Sequence, residues 1–528
     1  MKNPAQEKLR EHYQLLRRLD PATLWSSEVT RFNSASARER MQLVSVVRAV
    51  GVVFSESGSC DEKERARAWL TSLLVDPEEK IRRYAMLALT KVGGGESGEA
   101  KLLELLEHPA SSRENKFVAQ TLERIGGEET LRRTVPGRQG GLAESAQRLR
   151  ANIARKCGDG SLEFEQRLAH PSQVRVNLEC RSGLEAFVLE ELTQCADLVG
   201  VFRVLRSGGG RIELVAQKPF ALGAVFAVRC FSEIRFPLAE LPPLPKAGAP
   251  LEARVLADLI ASDAAHRIVR AFTSGTVRYR LEFASRQADV ALVRDIARKV
   301  YAARPELLND PREALWEVCV RESAKGIRVD LRPRVRPDPR YAYRRGDVPA
   351  ASHPPLAAAM ARLAAVGKNE RVWDPFCGSG LELVECALRG EVAEVFGCDL
   401  SVDAIQIAEA NMRSAMQQRR LPRMHFAACD FRATSESSGM SGMSGLRDLS
   451  LIVTNPPLGK RVPIADLRVL MGALFDVARA RLREGGRLVF VNPLESAEAP
   501  PGLRLESRHR VDLGFAHFHL EKYSKRSP

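Results

Sequence analysis

Apolar residues recur at helical spacing through residues 1–135, and no stretch there alternates as a strand does. Residues 81–89 run into Gly93-Gly94, and residues 116–122 run into Gly126-Gly127. The glycine pairs lie 33 residues apart, a spacing that suits repeated helical hairpins. Residues 136–170 read as a polar linker opened by Pro136-Gly137. From Gln173 the period changes: Val174, Val176 and Leu178 alternate with polar residues, as in a half-buried strand. A helix over 184–192, short strands around Gly208-Gly209-Gly210 and a Pro-rich spacer over 237–250 follow. A strand over 277–283, a helix over 289–302 and strands over 314–320 and 326–331 complete an α+β module, residues 171–345. Residues 346–528 alternate strand and helix, the pattern of an α/β doubly wound sheet.

Composition adds bounds. The chain has 528 residues, 45% hydrophobic and 28% charged, which describes a multidomain globular protein and excludes wholesale disorder. No apolar run is long enough to span a membrane, and MKNPAQEKLR lacks the features of a signal peptide. The ten cysteines are scattered singly with no CxxC, so neither a disulfide framework nor a metal site is expected, and the chain suits the cytoplasm.

The formal charge is +14, of which residues 171–350 carry +7. Arg328, Arg332, Arg334, Arg336, Arg340, Arg344 and Arg345 crowd the end of that module, with Tyr341 and Tyr343 interleaved. Arginine offers forked donors to phosphate and tyrosine stacks on unpaired bases, so Arg334 through Arg345 are candidate RNA contacts. A solvated strand edge would carry the same residues.

A strand over 371–374 enters Pro375-Phe376-Cys377-Gly378-Ser379-Gly380, a Gly-rich turn opening a helix over 381–389. Asp399 stands nineteen residues after Gly380 at the end of the next strand, placed to accept two ribose hydroxyls. A third strand ends at Cys429-Asp430-Phe431. The third glycine of a dinucleotide turn is missing, and Leu381-Glu382 stands where a P-loop needs Lys-Ser or Lys-Thr. Asp374, Asp399 and Asp430 together suit a neutral or cationic adenosyl ligand. At this point the segment resembles the class I S-adenosylmethionine-dependent methyltransferases. Asp374, Phe376, Gly378, Gly380, Asp399, Leu400, Asp430 and Phe431 are then the expected cofactor contacts.

The fourth strand, residues 449–453, runs into Thr454-Asn455-Pro456-Pro457-Leu458-Gly459. An exocyclic base amine is a poor nucleophile because its lone pair is delocalised into the ring. The Asn455 side-chain oxygen and the Pro456 carbonyl can accept its N–H groups, localise the lone pair and stabilise charge developing on nitrogen. Consecutive prolines hold those acceptors ready. Leu458 departs from the motif, where an aromatic residue usually stacks on the base. Lys460 and Arg461 are candidates for the flanking phosphates.

With Cys180-Arg181-Ser182-Gly183-Leu184-Glu185 and the segment from Asp347 to Met360, the chain resembles the THUMP-domain RNA guanine-N2 methyltransferases over about residues 171–522. The resemblance implies a ferredoxin-like plus THUMP-like module holding tRNA or rRNA, and a Rossmann-like domain that methylates N2 of a guanosine. It places Asp399 on the ribose, Asp430 on the adenine, and Asn455, Pro456, Pro457 and Leu458 at the catalytic element. Adenine-N6 or protein-glutamine methylation, or an RNA-binding scaffold without turnover, remain alternatives. Residues 1–135 resemble HEAT-like repeats and would dock a further protein or RNA partner.

Overall fold

Among the described residues, the repeated spacing near the N-terminus builds the longer helices Val44–Ser57, Cys60–Ser72, Glu79–Val92, Gly95–Glu107 and Ser112–Ile125. The computed structural model describes residues 11–107, 111–127, 129–130, 160–171, 173–243, 252–284, 289–349, 351–433, 443, 446–458, 466–494 and 500–526. It separates two units, residues 1–159 and 160–528. In the first, Ser59 and Glu62 form a capping box at the start of Cys60–Ser72, and Ser111 accepts the Glu114 N–H. Gly93, at φ 95°, ends Glu79–Val92 where an L side chain would be strained. Glu79–Val92 packs on both Val44–Ser57 and Ser112–Ile125, and Cys60–Ser72 packs on Gly95–Glu107, so alternate helices share a layer. The core between them holds Val46, Val50, Leu70, Ile81, Met86, Leu89, Leu102 and Val118. The Arg82 guanidinium donates to the fully buried Glu114 carboxylate across two helices. A π-helical turn at Leu24–Val29 has no counterpart in the sequence pattern.

In the second unit an eight-stranded sheet runs in the order Leu307–Asn309, Val277–Phe283, Trp316–Ser323, Gly326–Pro333, Glu233–Leu241, Arg175–Glu179, Arg211–Ala216 and Phe202–Gly208. The Pro-rich spacer expected at 237–250 is corrected here, because residues 237–241 belong to a strand; residues 244–250 lie outside the described residues. That strand pairs with Gly326–Pro333 on one side and Arg175–Glu179 on the other, joining two α+β segments into one sheet. Pro237 is tolerated because the register shifts at Val329/Asp330, opposite it. Arg332 ties the sheet face together, reaching Glu317 at 2.7 Å and Glu282 at 2.6 Å, and also Glu233.

The seven-stranded sheet has the order Arg423–Ala428, Glu391–Asp399, Lys368–Asp374, Leu449–Thr454, Leu482–Asn492, His517–Lys525 and Leu503–Asp512. The first five strands are parallel, and His517–Lys525 inserts antiparallel beside Leu482–Asn492. The order reverses beside Lys368–Asp374, the switch point where open α/β sheets bind ligands. One hydrophobic cluster, from Leu168 to Leu520, continues through both sheets. Among the described residues no helix is long and apolar enough to cross a membrane.

Candidate active site

The turn after Lys368–Asp374 is held from beneath by Asp399. Its Oδ2 accepts the Gly378 N–H at 3.0 Å and its Oδ1 accepts the Ser401 N–H at 2.9 Å. One carboxylate therefore anchors both the Gly-rich loop and the start of the helix Val402–Ala415. Gly378 (φ 49°) and Gly380 (φ 79°) are left-handed, and a Cβ on Gly380 would meet Ala408 Cβ at 3.0 Å. Asp374 is fully buried: Oδ1 accepts the Phe376 N–H at 3.0 Å and the Thr454 hydroxyl at 2.6 Å, while Oδ2 has no partner. Burial and the neighbouring Glu382 charge hold the Asp374 carboxyl well above the usual carboxylate range. A nearby cation relieves such a group.

Above the turn lies a cavity of about 830 Å³ that brings together Phe376, Gly378, Asp399, Leu400, Asp430 and Phe431 with Asn455, Pro456, Pro457 and Leu458. Leu400 is 79% exposed at its rim. The Phe376 and Phe431 rings lie 4.8 Å apart, on the cofactor side. Asp430 is paired with Arg432, which holds its carboxyl below the usual range. Asn455 follows the wholly buried strand Leu449–Thr454. Its Nδ2 donates to Ser352 Oγ at 2.8 Å, and its buried Oδ1 has no partner.

The cavity residues that sequence reasoning missed include Arg181, Ser352, His353, Glu382, Leu513 and Phe515. Leu513 and Phe515 come from the turn joining the last two strands, and Arg181 from the turn after Arg175–Glu179. Gly183 (φ 99°) lets those two turns touch, because a Cβ there would lie 1.9 Å from the Arg510 carbonyl oxygen. The Asp512 N–H donates to the Ser182 carbonyl at 2.9 Å across the same contact. Burial, and next the Arg181 charge, push the His353 imidazole down to about 4, so it is neutral at physiological pH. One signal for Glu382 was available: a carboxylate within the apolar run Leu381, Leu383, Val384 that follows the glycines.

Three proposed RNA contacts are corrected. Arg340 is 5% exposed and donates to the carbonyls of Phe231 at 2.8 Å and Val228 at 3.2 Å. Tyr341 donates to the Arg229 carbonyl, and Tyr343 donates to Glu385 Oε1 at 2.7 Å. Burial raises both phenols, and Glu385 is in turn bound by Arg229 at 2.8 Å. Arg340, Tyr341 and Tyr343 thus clamp the eight-stranded module to the helix Leu381–Arg389; Arg340 and Tyr343 are buried, and Tyr341, partly exposed, has its hydroxyl taken by the module's backbone. Arg334 is half-buried and donates to the Arg312 carbonyl, and Arg344 pairs with Asp347. Arg336 and Arg345 are exposed, with Arg345 Nε donating to Ser414 Oγ at 2.9 Å. Lys460 and Arg461 lie outside the described residues. Glu282, Glu317 and Cys319 gather their ligand atoms within 4.8 Å, but Arg332 holds both carboxylates.

The donor end fits S-adenosylmethionine. It offers a glycine loop that a ligand can approach closely, lies over the buried Asp374 carboxyl, which with Gly380 does not itself line the cavity, and has its Arg432 paired with Asp430. Asp399, Phe376, Phe431 and the Gly378–Gly380 turn would hold that ligand.

Residues 341–499 match the model of the UPF0020 family, described as an RMKL-like methyltransferase domain. The chain is 28% identical over 213 residues to the tRNA (guanine(10)-N2)-dimethyltransferase of Methanothermobacter thermautotrophicus, covering 39% of this chain and 54% of that protein. It is 32% identical over 123 residues to ribosomal RNA large subunit methyltransferase G of Pseudomonas putida, covering 23% and 29% respectively. The chain thus spans about half the length of the first relative and under a third of the second. The crystal structure of TrmN from Thermus thermophilus superposes with a TM-score of 0.46 at 21% identity, covering 67% of this chain and 99% of that one. The segment that matches this methyltransferase-domain model holds most of the cavity wall, from Asp347 through Leu458 to Leu470.

Proposed function

We propose that this protein methylates RNA, transferring the methyl group of S-adenosylmethionine to the exocyclic N2 amine of a guanosine in tRNA or rRNA. The observation that carries this reading is Asn455 Oδ1, a buried acceptor without a partner in the cavity wall. The cofactor, when bound, supplies an electrophilic methyl group. Asn455 Oδ1 and the Pro456 carbonyl accept the two N–H bonds of the amine, which turns its lone pair out of conjugation. Pro456 and Pro457 keep both acceptors from relaxing, and the amine proton leaves to solvent after transfer.

Leu458 favours the second reading, an RNA-binding scaffold without turnover. Phe515 argues against it. This partly exposed ring on the cavity lip can supply the stacking surface that Leu458 lacks, with Arg181 beside it for a flanking phosphate. On this reading residues 171–345 serve as a ferredoxin-like plus THUMP-like RNA holder, and residues 346–528 as the Rossmann-like catalytic domain. Residues 1–135 are a HEAT-like docking module for a further protein or RNA partner in the cytoplasm; of the linker expected over 136–170, residues 136–159 lie outside the described residues, and Ser161–Leu162 and Arg167–Leu168 are instead strands paired within the second unit. Guanine-N2 methylation of tRNA is the name carried by the archaeal relative. Tritium transfer from labelled cofactor to tRNA, rRNA and protein pools tests the reading, followed by nucleoside mass spectrometry of RNA from a deletion strain. N2-methylguanosine should fall in the strain. Label in protein alone, or in no pool, overturns the proposal.

A further inference from the structure

The Asn455 amide enters the cavity with one orientation, and two groups behind it dictate which. Asn455 Nδ2 donates to Ser352 Oγ at 2.8 Å, and the Ser352 hydroxyl donates to Glu382 Oε1. An ionised carboxylate accepts and never donates, so it takes the only hydroxyl proton that Ser352 has. Ser352 Oγ then offers lone pairs alone, and the half of the amide facing it must be NH2. Oδ1 is left turned away, which is where it is found buried and unpartnered. A protonated Glu382 reverses each step. Its O–H donates to Ser352 Oγ, the serine proton is free to point at Asn455, and the amide turns over to meet it with Oδ1. The acceptor site then meets an amine with another amine-like donor.

Resting on the RNA-amine reading above, we propose that Ser352 and Glu382 are positioning residues that lock the Asn455 amide with Oδ1 toward the incoming amine. Loss of the Glu382 charge unlocks it.

Glu382 is 3% exposed in the first turn of Leu381–Arg389. It is surrounded by Asp374 on the neighbouring strand, Ser352 across the cleft and Glu385 one turn along its own helix; the thiols of Cys377 and Cys386 sense the same charge. Among the described residues no cation pairs with Glu382. Burial pushes its carboxyl up to about 7, against the hydrogen bond from Ser352 that pulls it down. The locked orientation is therefore present above that pH and lost as pH falls through it. A proton there costs the site its acceptor and also relieves the Asp374 carboxyl at the base of the glycine turn.

The test measures kcat against pH on small RNA for wild type, Ser352→Ala and Ser352→Thr, with cofactor affinity by calorimetry. Wild type should lose activity below about pH 7. Ser352→Ala should lower kcat by about 10- to 100-fold at pH 8 and lack the acidic limb, with cofactor affinity unchanged. Ser352→Thr, which keeps the hydroxyl, should restore both. A second measurement needs no RNA: the side-chain amide 15N signal of Asn455, in asparagine-labelled protein and assigned by its loss in Asn455→Asp. That signal should titrate near pH 7 in wild type and stay flat in Ser352→Ala. A wild-type rate and acidic limb in Ser352→Ala, or a pH-insensitive Asn455 signal in wild type, overturns the proposal. Titration of the signal in a protein that methylates no RNA supports the locking and overturns the RNA-amine reading alone.

Discussion

The two ends of the cavity are built differently. The donor end comes from one short stretch: Asp374, Phe376, Gly378, Gly380, Asp399, Asp430 and Phe431 lie within sixty residues, on three adjacent parallel strands and their turns. The acceptor end is gathered from Arg181, Ser352, Glu382, Asn455 and Phe515, separated by up to hundreds of residues. Arg181 joins the other four only because the eight-stranded module is fixed against the catalytic sheet. A cofactor common to many enzymes can be held by a local motif. An acceptor specific to one enzyme is met by surfaces that the fold must bring together.

That contrast can be broken at several points. Arg229→Ala removes the cationic partner of Glu385, which is 2% exposed, and should cost about 3–5 kcal/mol of stability, read as a lower midpoint in denaturant. An unchanged midpoint would mean the clamp holds nothing. Asn455→Ala should reduce single-turnover methylation by about 100- to 1000-fold with cofactor affinity kept; equal losses in both would erase the division into two ends. Asp399→Ala should weaken cofactor binding by about 1.5–3 kcal/mol for each charge-assisted bond lost, measured by calorimetry. Full affinity in that variant would remove Asp399 from the donor end. Phe515→Ala should weaken RNA binding by about 1–3 kcal/mol while cofactor affinity stays level. Wild-type RNA affinity would remove Phe515 from the acceptor end.

The same contrast explains what could be read from sequence. The helix over 381–389 occurs with the bounds expected, and the parallel strands differ only in length, because glycine turns and buried β-branched runs are local signals. The sheet-joining strand Glu233–Leu241 was hidden by Pro237, whose meaning depends on a bulge contributed by a strand about ninety residues later. The Arg and Tyr residues at 340–343 illustrate the same difficulty. Alternating cations and aromatics look alike whether they face a nucleic acid or bind carbonyls at 228–232 and the Glu385 carboxylate. Only distant partners distinguish the two. Arg181 and Phe515 carried no local mark at all, since each matters through the turn opposite it.

The Gly183 contact has a mechanical consequence. With no side chain between Gly183 and the Arg510 carbonyl, the turn bearing Arg181 and the hairpin bearing Phe515 lie backbone to backbone. The span from the eight-stranded sheet to the reactive nitrogen is thereby set like the opening of a caliper. On the proposed RNA reading, target choice would then follow from length: a nucleotide would be modified when it lies at that reach from whatever the sheet grips, whichever bases surround it.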